Sequence, residues 1–394
     1  MDSQLTSTDE SHLRRALELA EGGRGRVSPN PLVGAVLVRG GEVIGEGFHA
    51  RLGDLHAERA ALADAAGRGH DPAGATMYVT LEPCAHHGRQ PPCVEAILAA
   101  GVGRVVIASE DPSEKAAGRG PGILRDGGVE VAFASGAEAA AARRLNQPFR
   151  KHARTGLPLV TLKLALSLDG QTATPPGAER WISGPASRAL VHRWRSESDA
   201  IAVGIGTALA DDPLLTARPE GVSDPRQPLR VVFDSQARLP LDCRLLQTLD
   251  VSPVLVITSP DAPRSRTEAL EQAGAEILTI DAPSPADRVL AALRTLGDRA
   301  VSSLFLEGGR SLATSFLTAD QVDASRTFIA PVLLGQPSAP LAEGGPEGER
   351  ENGGEAPARS APPRGQDPPR RDALASTAEH IGDDVLVTAT FKEW

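Results

Sequence analysis

Short apolar runs of strand length alternate along this chain with segments whose apolar residues recur every three or four positions. In residues 11–22, Leu13, Ala16, Leu17 and Ala20 share one helical face, and Gly22–Gly23 stop the segment. VGAVLVRGGEVIGEGFH reads as a hairpin turning at Gly40–Gly41. HAERAALADAAGRG predicts a helix, ATMYVTLEP a strand, PCVEAILAAG a helix and RVVIASED a strand, with a further helix near 136–146. The basic, turn-prone RKHARTGLP marks a domain boundary. From Pro158 the alternation resumes. LVTLKLALSLDG, AIAVGIG, LRVVFDS, PVLVITS, AEILTI, VSSLFLEGG and RTFIAPVLLG read as strands; GPASRALVHRWRSES and RSLATSFLTAD read as helices. DDVLVTATFKEW reads as a returning strand.

This order predicts α/β layers in both halves. We place a first domain at 1–148 and a second at 149–394. The segment 336–371 breaks the pattern: it is rich in Pro, Gly and charge, with a single large aliphatic residue, so a mobile insertion is expected there. No internal repeat is evident.

Bulk composition narrows the function. A net charge of −10 argues against a general nucleic-acid or anionic-membrane partner. No apolar run approaches the length of a membrane span, and the N-terminus lacks the apolar core of a signal peptide. Three cysteines form no disulfide framework, which fits a reducing cytoplasm.

Two of those cysteines lie in LEPCAHHGRQPPC, with eight residues between Cys84 and Cys93. Each sits where a helix or turn begins, a position that favours thiolate. His56 and Glu58 form an HAE triplet at another helix start. One His and two Cys give zinc three protein ligands and leave a fourth position for water. A nearby glutamate outside the ligand set can then move protons. This is the layout of zinc nucleobase deaminases, H-x-E followed by P-C-x-x-C, here with a longer cysteine spacing. The inserted residues carry Arg89, which suits a phosphorylated substrate, and His86 and His87, which read equally well as turn filling.

SPNPLVGAVLV, IGEGFHARLGDLHAE, YVTLEPCAHHGRQPPC and EDPSEKAAGRG resemble the deaminase domain of the bifunctional riboflavin-biosynthesis deaminase/reductase family. The resemblance implies a cytidine-deaminase-like three-layer domain acting on a diaminopyrimidinone that carries a ribosylamino 5-phosphate. It implies zinc on His56, Cys84 and Cys93, proton transfer by Glu58, and substrate contacts at Asn30 and His49.

The second half has only G-x-G at Gly204 and Gly206, short of a dinucleotide fingerprint. LKLALSLDG, RWISGPASR, VHRWR, DAIAVGIGTALADDPLLTAR and RVVFDSQARLP resemble the reductase domain of the same family, with a dihydrofolate-reductase-like α/β fold. That resemblance implies NADPH at Ala165, Trp181, Thr207, Asp211, Ser235, Gly309, Arg310, Ser311, Leu312, Ala313, Thr314 and Ser315. It implies substrate at Glu179, Arg195, Leu215, Arg218 and Glu307, with Arg195 and Arg218 suited to a phosphate. The implied reaction reduces the ribosyl group to ribityl. Cys243 stands apart as a bystander thiol.

Two other readings stay open at this point. The second half could be a catalytically inactive structural module, and the first could be an RNA-editing deaminase. The latter would want a basic face, yet residues 1–146 hold 15 Lys+Arg against 19 Asp+Glu, net −4. The expected partner is a small phosphorylated pyrimidine, not nucleic acid or membrane, and the chain is expected to form a homo-oligomer.

Overall fold

The computed structural model describes residues 5–87, 90–113, 116–174, 181–335 and 370–394. Among these residues two sheets form, one in each half of the chain. The first has five strands: β1 (Gly34–Arg39), β2 (Glu42–Phe48), β3 (Thr76–Val79), β4 (Arg104–Ile107) and β5 (Glu130–Phe133), in the order β2-β1-β3-β4-β5. β1 runs antiparallel to both β2 and β3, whereas β3, β4 and β5 are parallel. The β1–β2 hairpin turns where expected, because Gly40 and Gly41 both take positive φ, 61° and 85°.

The period-2 alternation of each strand feeds two cores. Ala35, Leu37, Met77, Val79, Val105 and Ile107 face one side. There they meet α2 (Ala57–Gly67), α3 (Cys93–Ala99) and α4 (Arg119–Asp126). Val36, Val38, Tyr78 and Val106 face the other side, under α1 (Ser7–Ala20) and α5 (Gly136–Leu145). The result is a three-layer α/β/α domain. α1 begins four residues before the periodic segment. Thr6 and Asp9 close a capping box there. The buried Asp9 also accepts from Tyr78 Oη at 2.8 Å and Arg104 Nη1 at 2.7 Å.

The second sheet has nine strands. They are β6 (Leu159–Ser167), β7 (Ala200–Gly204), β8 (Leu229–Phe233), β9 (Val254–Thr258), β10 (Glu276–Thr279), β11 (Ser303–Leu306), β12 (Ala324–Ala330), β13 (Ala375–Ile381) and β14 (Asp384–Thr390). The order is β10-β9-β8-β7-β11-β6-β12-β14-β13, parallel through β12 and antiparallel thereafter. One face packs on α10 (Pro285–Asp298) and α11 (Arg310–Thr318). The other packs on α7 (Pro185–Glu197), α8 (Ile205–Asp211) and α9 (Arg264–Gln272).

The structure corrects one expectation between the two sheets. Most of RKHARTGLP is not a turn: it continues α6 (Gln147–Thr155), which Gly156 ends at φ 70°. Arg150 and Lys151 look like boundary residues in sequence, yet both are buried and ion-paired, to Glu110 and Asp323. Tertiary contacts, not local propensity, make this stretch helical. Of the expected mobile insertion, residues 336–369 lie outside the described residues, while Arg371 at its end pairs with Asp320. No described helix is long and apolar enough to cross a membrane.

Candidate active sites

Three loops converge at one end of the first sheet. His56 is the N-cap of α2, Cys84 follows β3, and Cys93 opens α3 behind Pro92. Their donor atoms lie within 4.8 Å of one another. His56 Nδ1 is 3.6 Å from Cys84 Sγ and 3.4 Å from Cys93 Sγ. With usual zinc bond lengths, a tetrahedral site would put N and S about 3.6 Å apart. The three side chains therefore fit a zinc ion without rearrangement. The Cys93 thiol, His56 and the Cys93 N–H all stabilise the Cys84 thiolate, which pulls its pKa down to about 4 despite burial. That is the ionisation state a metal ligand needs.

Glu58 is the second residue of α2, two past His56, and is buried. Burial, and next the Cys84 charge, push its carboxyl up to about 7, so it can hold or release a proton near neutral pH. Glu58 and His56 line a cavity of about 380 Å³, as do Asn30 and His49. Burial lowers the pKa of His49, leaving the ring neutral near pH 7. Its two contacts then fix its tautomer: Nδ1–H donates to Leu55 O (3.0 Å) and Nε2 accepts from Asn30 Nδ2 (3.1 Å). The Asn30 amide is thereby oriented, and its Oδ1 has no protein partner among the described residues. The result is a pre-set hydrogen-bond acceptor for a ligand N–H.

The second sheet has its own cavity, about 1110 Å³, outside the carboxyl ends of β6, β7 and β11. The strand order reverses between β7 and β11, the position where open α/β sheets bind ligands. Gly204, Gly206 and Gly309 leave part of its wall without side chains. A Cβ on Gly206 would meet nothing within 4 Å, so a ligand can approach the backbone there. Gly309 caps α11 and points that helix N-terminus at the cavity, a feature suited to a cofactor phosphate. Arg195 grips Glu307 through two bonds, Nε–Oε1 at 2.6 Å and Nη2–Oε2 at 2.9 Å. Burial opposes ionisation of Glu307, but Arg195 outweighs it and keeps the carboxylate charged.

Two family models match the chain. Residues 6–109 match the "cytidine and deoxycytidylate deaminase zinc-binding region", and residues 158–350 match the "RibD C-terminal domain". The riboflavin biosynthesis protein RibD of Actinobacillus pleuropneumoniae is 41% identical over 344 residues, covering 87% of this chain and 89% of that protein. That of Escherichia coli K12 is 40% identical over 337 residues, covering 83% and 89%. The RibD structure of Acinetobacter baumannii (form 1) superposes with a TM-score of 0.80 at 35% identity, covering 98% and 99%. The chain belongs to the RibD family. A Thermotoga maritima structure, titled as a diaminohydroxyphosphoribosylaminopyrimidine deaminase/5-amino-6-(5-phosphoribosylamino)uracil reductase, gives 0.79 at 32% identity, covering 98% and 99%.

In this RibD-family chain the expected deaminase residues His56, Glu58, Cys84, Asn30 and His49 line one cavity, with Cys93 completing the ligand triangle. Arg89 and Glu179 lie outside the described residues. Ala165, Trp181, Thr207, Asp211, Arg195, Leu215, Arg218, Glu307 and residues 309–312 line the second cavity. Ser235, Ala313, Thr314 and Ser315 do not: Ser235 follows β8 and caps Ser259, and Ala313 is buried in the core behind α11. Cys243 is buried in the other core of that half.

Several cavity residues escaped the sequence reading. Phe149, Glu82, Asp111 and Gln90 line the first cavity; Lys163, His192 and Arg244 line the second. Lys163 interrupts an apolar strand, a signal the alternation alone could have flagged. Its ammonium has no ion-pair partner among the described residues; burial lowers its pKa, opposed by Glu307. Phe149 and Arg244 carry no such signal, because only tertiary contacts bring them to their cavities.

Proposed function

We propose that this chain performs two consecutive steps of riboflavin biosynthesis. The first is hydrolytic deamination of 2,5-diamino-6-(5-phosphoribosylamino)pyrimidin-4-one. The second is NADPH-dependent reduction of the ribosyl side chain to ribityl. The observation that carries this reading is two separate cavities on one chain. One is built on the His56–Cys84–Cys93 triangle with a buried glutamate; the other is at the strand-order reversal of a parallel sheet.

In the first cavity, zinc held by His56, Cys84 and Cys93 supplies the Lewis acidity that makes water nucleophilic near neutral pH. Glu58 takes a proton from the attacking water and delivers it to the departing amine. Asn30, oriented by His49, receives a ring or exocyclic N–H of the pyrimidine. In the second cavity NADPH supplies the hydride. Residues 309–312, Thr207 and Ala165 hold the cofactor, and Trp181 offers a flat apolar face.

The substrate phosphate meets Arg218 and Arg244. Arg195 was the other expected anchor; its fork pairs with Glu307, which also lines the cavity. Burial, then the charge of Arg195 and Arg218, lowers His192 to about 4, so it stays neutral. It can then accept from Arg218 Nη2 at 3.3 Å and aim that guanidinium. Arg218→Ala is expected to raise the reductase KM by about 10- to 150-fold, the scale of one charge-assisted hydrogen bond. Ammonia release should not change. Steady-state kinetics of both half-reactions checks this.

Three free thiols, two of them in a metal-type cluster, support a cytoplasmic location. Among the described residues β13 is an edge strand with β14 as its one neighbour, which supports homo-oligomer formation. The decisive test of function is incubation with the diaminopyrimidinone phosphate, with and without NADPH, followed by product mass. Loss of one amino group without NADPH, and gain of two hydrogens with it, is the expected result. If the protein makes the deaminated product but never oxidises NADPH, the second half is a structural module only.

A further inference from the structure

The deaminase cavity holds its own catalytic residues, yet the other half of the chain supports its walls. The turn Val27–Asn30 is closed by Asn30 N–H to Val27 O at 2.9 Å, and Pro29, Asn30 and Pro31 line the cavity. Ser28, inside that turn, touches the second sheet: its Oγ is 3.2 Å from Ser302 Oγ.

Ser302 is buried just before β11. Its own hydroxyl proton is committed to Asp199 Oδ2 at 2.7 Å. Ser302 therefore faces Ser28 as an acceptor, and the Ser28 hydroxyl also reaches Asp199, which it helps keep ionised. Asp199, buried just before β7, is fixed in turn by the N–H groups of Ser302 (2.7 Å) and Ser303 (3.0 Å) and by Arg226 (2.6 Å). A rigid carboxylate thus orients Ser302, and Ser302 receives the turn that carries Asn30.

A second part of the cavity lining is tied in a similar way. Arg150 is buried and donates to Ser109 Oγ and Glu110 O, beside the cavity residue Asp111, and also to the Trp394 carbonyl beyond β14. Next to it, Lys151 pairs with Asp323 at 2.6 Å, with both side chains excluded from water.

We propose that Ser302, a residue of the reductase half, is a positioning residue for the deaminase: through Ser28 it sets the Val27–Asn30 turn and with it the substrate-facing amide of Asn30. This rests on the deaminase reading given above. A contact that orients Asn30 before the substrate arrives acts on ground state and transition state alike, so its loss raises KM and spares kcat.

Ser28→Ala and Ser302→Ala in the full-length zinc-loaded protein provide the test. Each is expected to raise the deamination KM by about two- to tenfold, the scale of one neutral hydrogen bond, with kcat within about twofold. Zinc content and NADPH-dependent reduction of supplied intermediate should match wild type. The double variant should be no worse than Ser28→Ala alone, because that substitution already removes what the Ser28 hydroxyl reaches across the seam. Ser28→Thr, which keeps the hydroxyl, should restore the wild-type KM.

An unchanged deamination KM in both alanine variants overturns the proposal. So does a parallel fall of both activities, which would mean general loss of structure. If Ser302→Ala does not fold, Ser28→Ala decides alone, since it leaves Asp199 held by Ser302, the Ser303 N–H and Arg226. Wild-type protein that releases no ammonia would instead refute the deaminase reading, an outcome distinct from active wild type with unaffected variants.

Discussion

Glu58→Gln is expected to keep zinc and lose deamination by at least about 100-fold, the scale of general acid–base catalysis. Both the position of Glu58 and its ionisation lead to this result. Glu58 is the second helical residue past the His56 cap, lines the same cavity and is buried. Burial raises its pKa to about 7, so proton uptake and release are balanced near neutral pH. Glutamine fills the same space and can still hydrogen-bond, but it cannot carry a proton. The metal ligands are untouched, so metal analysis should return one zinc per chain. Reduction of supplied intermediate should run at the wild-type rate, because that cavity lies on the other sheet. Near-normal ammonia release in the variant would remove Glu58 from the mechanism.

Removing a ligand should have the larger effect. Cys84→Ser and Cys93→Ser are each expected to abolish both zinc retention and deamination. His56 Nδ1 touches both sulfurs, and the three atoms leave no protein substitute among the described residues. Hydroxyl is a poor ligand for zinc beside the thiolate it replaces. Chelator treatment of the wild type should reproduce the loss of deamination, and added zinc should restore it in the wild type alone. NADPH-dependent reduction should survive all three treatments. Full zinc occupancy in both serine variants would show that the ligand set is wrong.

Both predictions were largely legible in the sequence. The HAE triplet and the two cysteines after Pro83 and Pro92 announce themselves because metal chemistry admits few residue types. Strand alternation was equally readable: Ala35 and Leu37 face one core while Val36 and Val38 face the other, as period-2 side chains must. The hairpin at Gly40–Gly41 follows from local φ preferences alone. These are features whose physical cause lies within a few residues of themselves.

Other features depend on residues far apart in the chain. RKHARTGLP has the composition of a turn, but Arg150 and Lys151 find carboxylates 40 residues upstream and 172 residues downstream, and the stretch becomes helix. β13, ASTAEHI, lacks an apolar alternation and pairs along its length with β14. Arg195 was expected to contact the substrate phosphate, and only the fold shows that Glu307, 112 residues away, pairs with it.

The sequence by itself determined the family, the layer architecture and the zinc cluster, because periodicity and ligand chemistry are local or confined to short motifs. Tertiary structure decided which charges are already paired, which support the deaminase cavity borrows from the other half, and that Ser302 reaches Ser28. Those outcomes depend on desolvation and long-range contact, which no local pattern encodes.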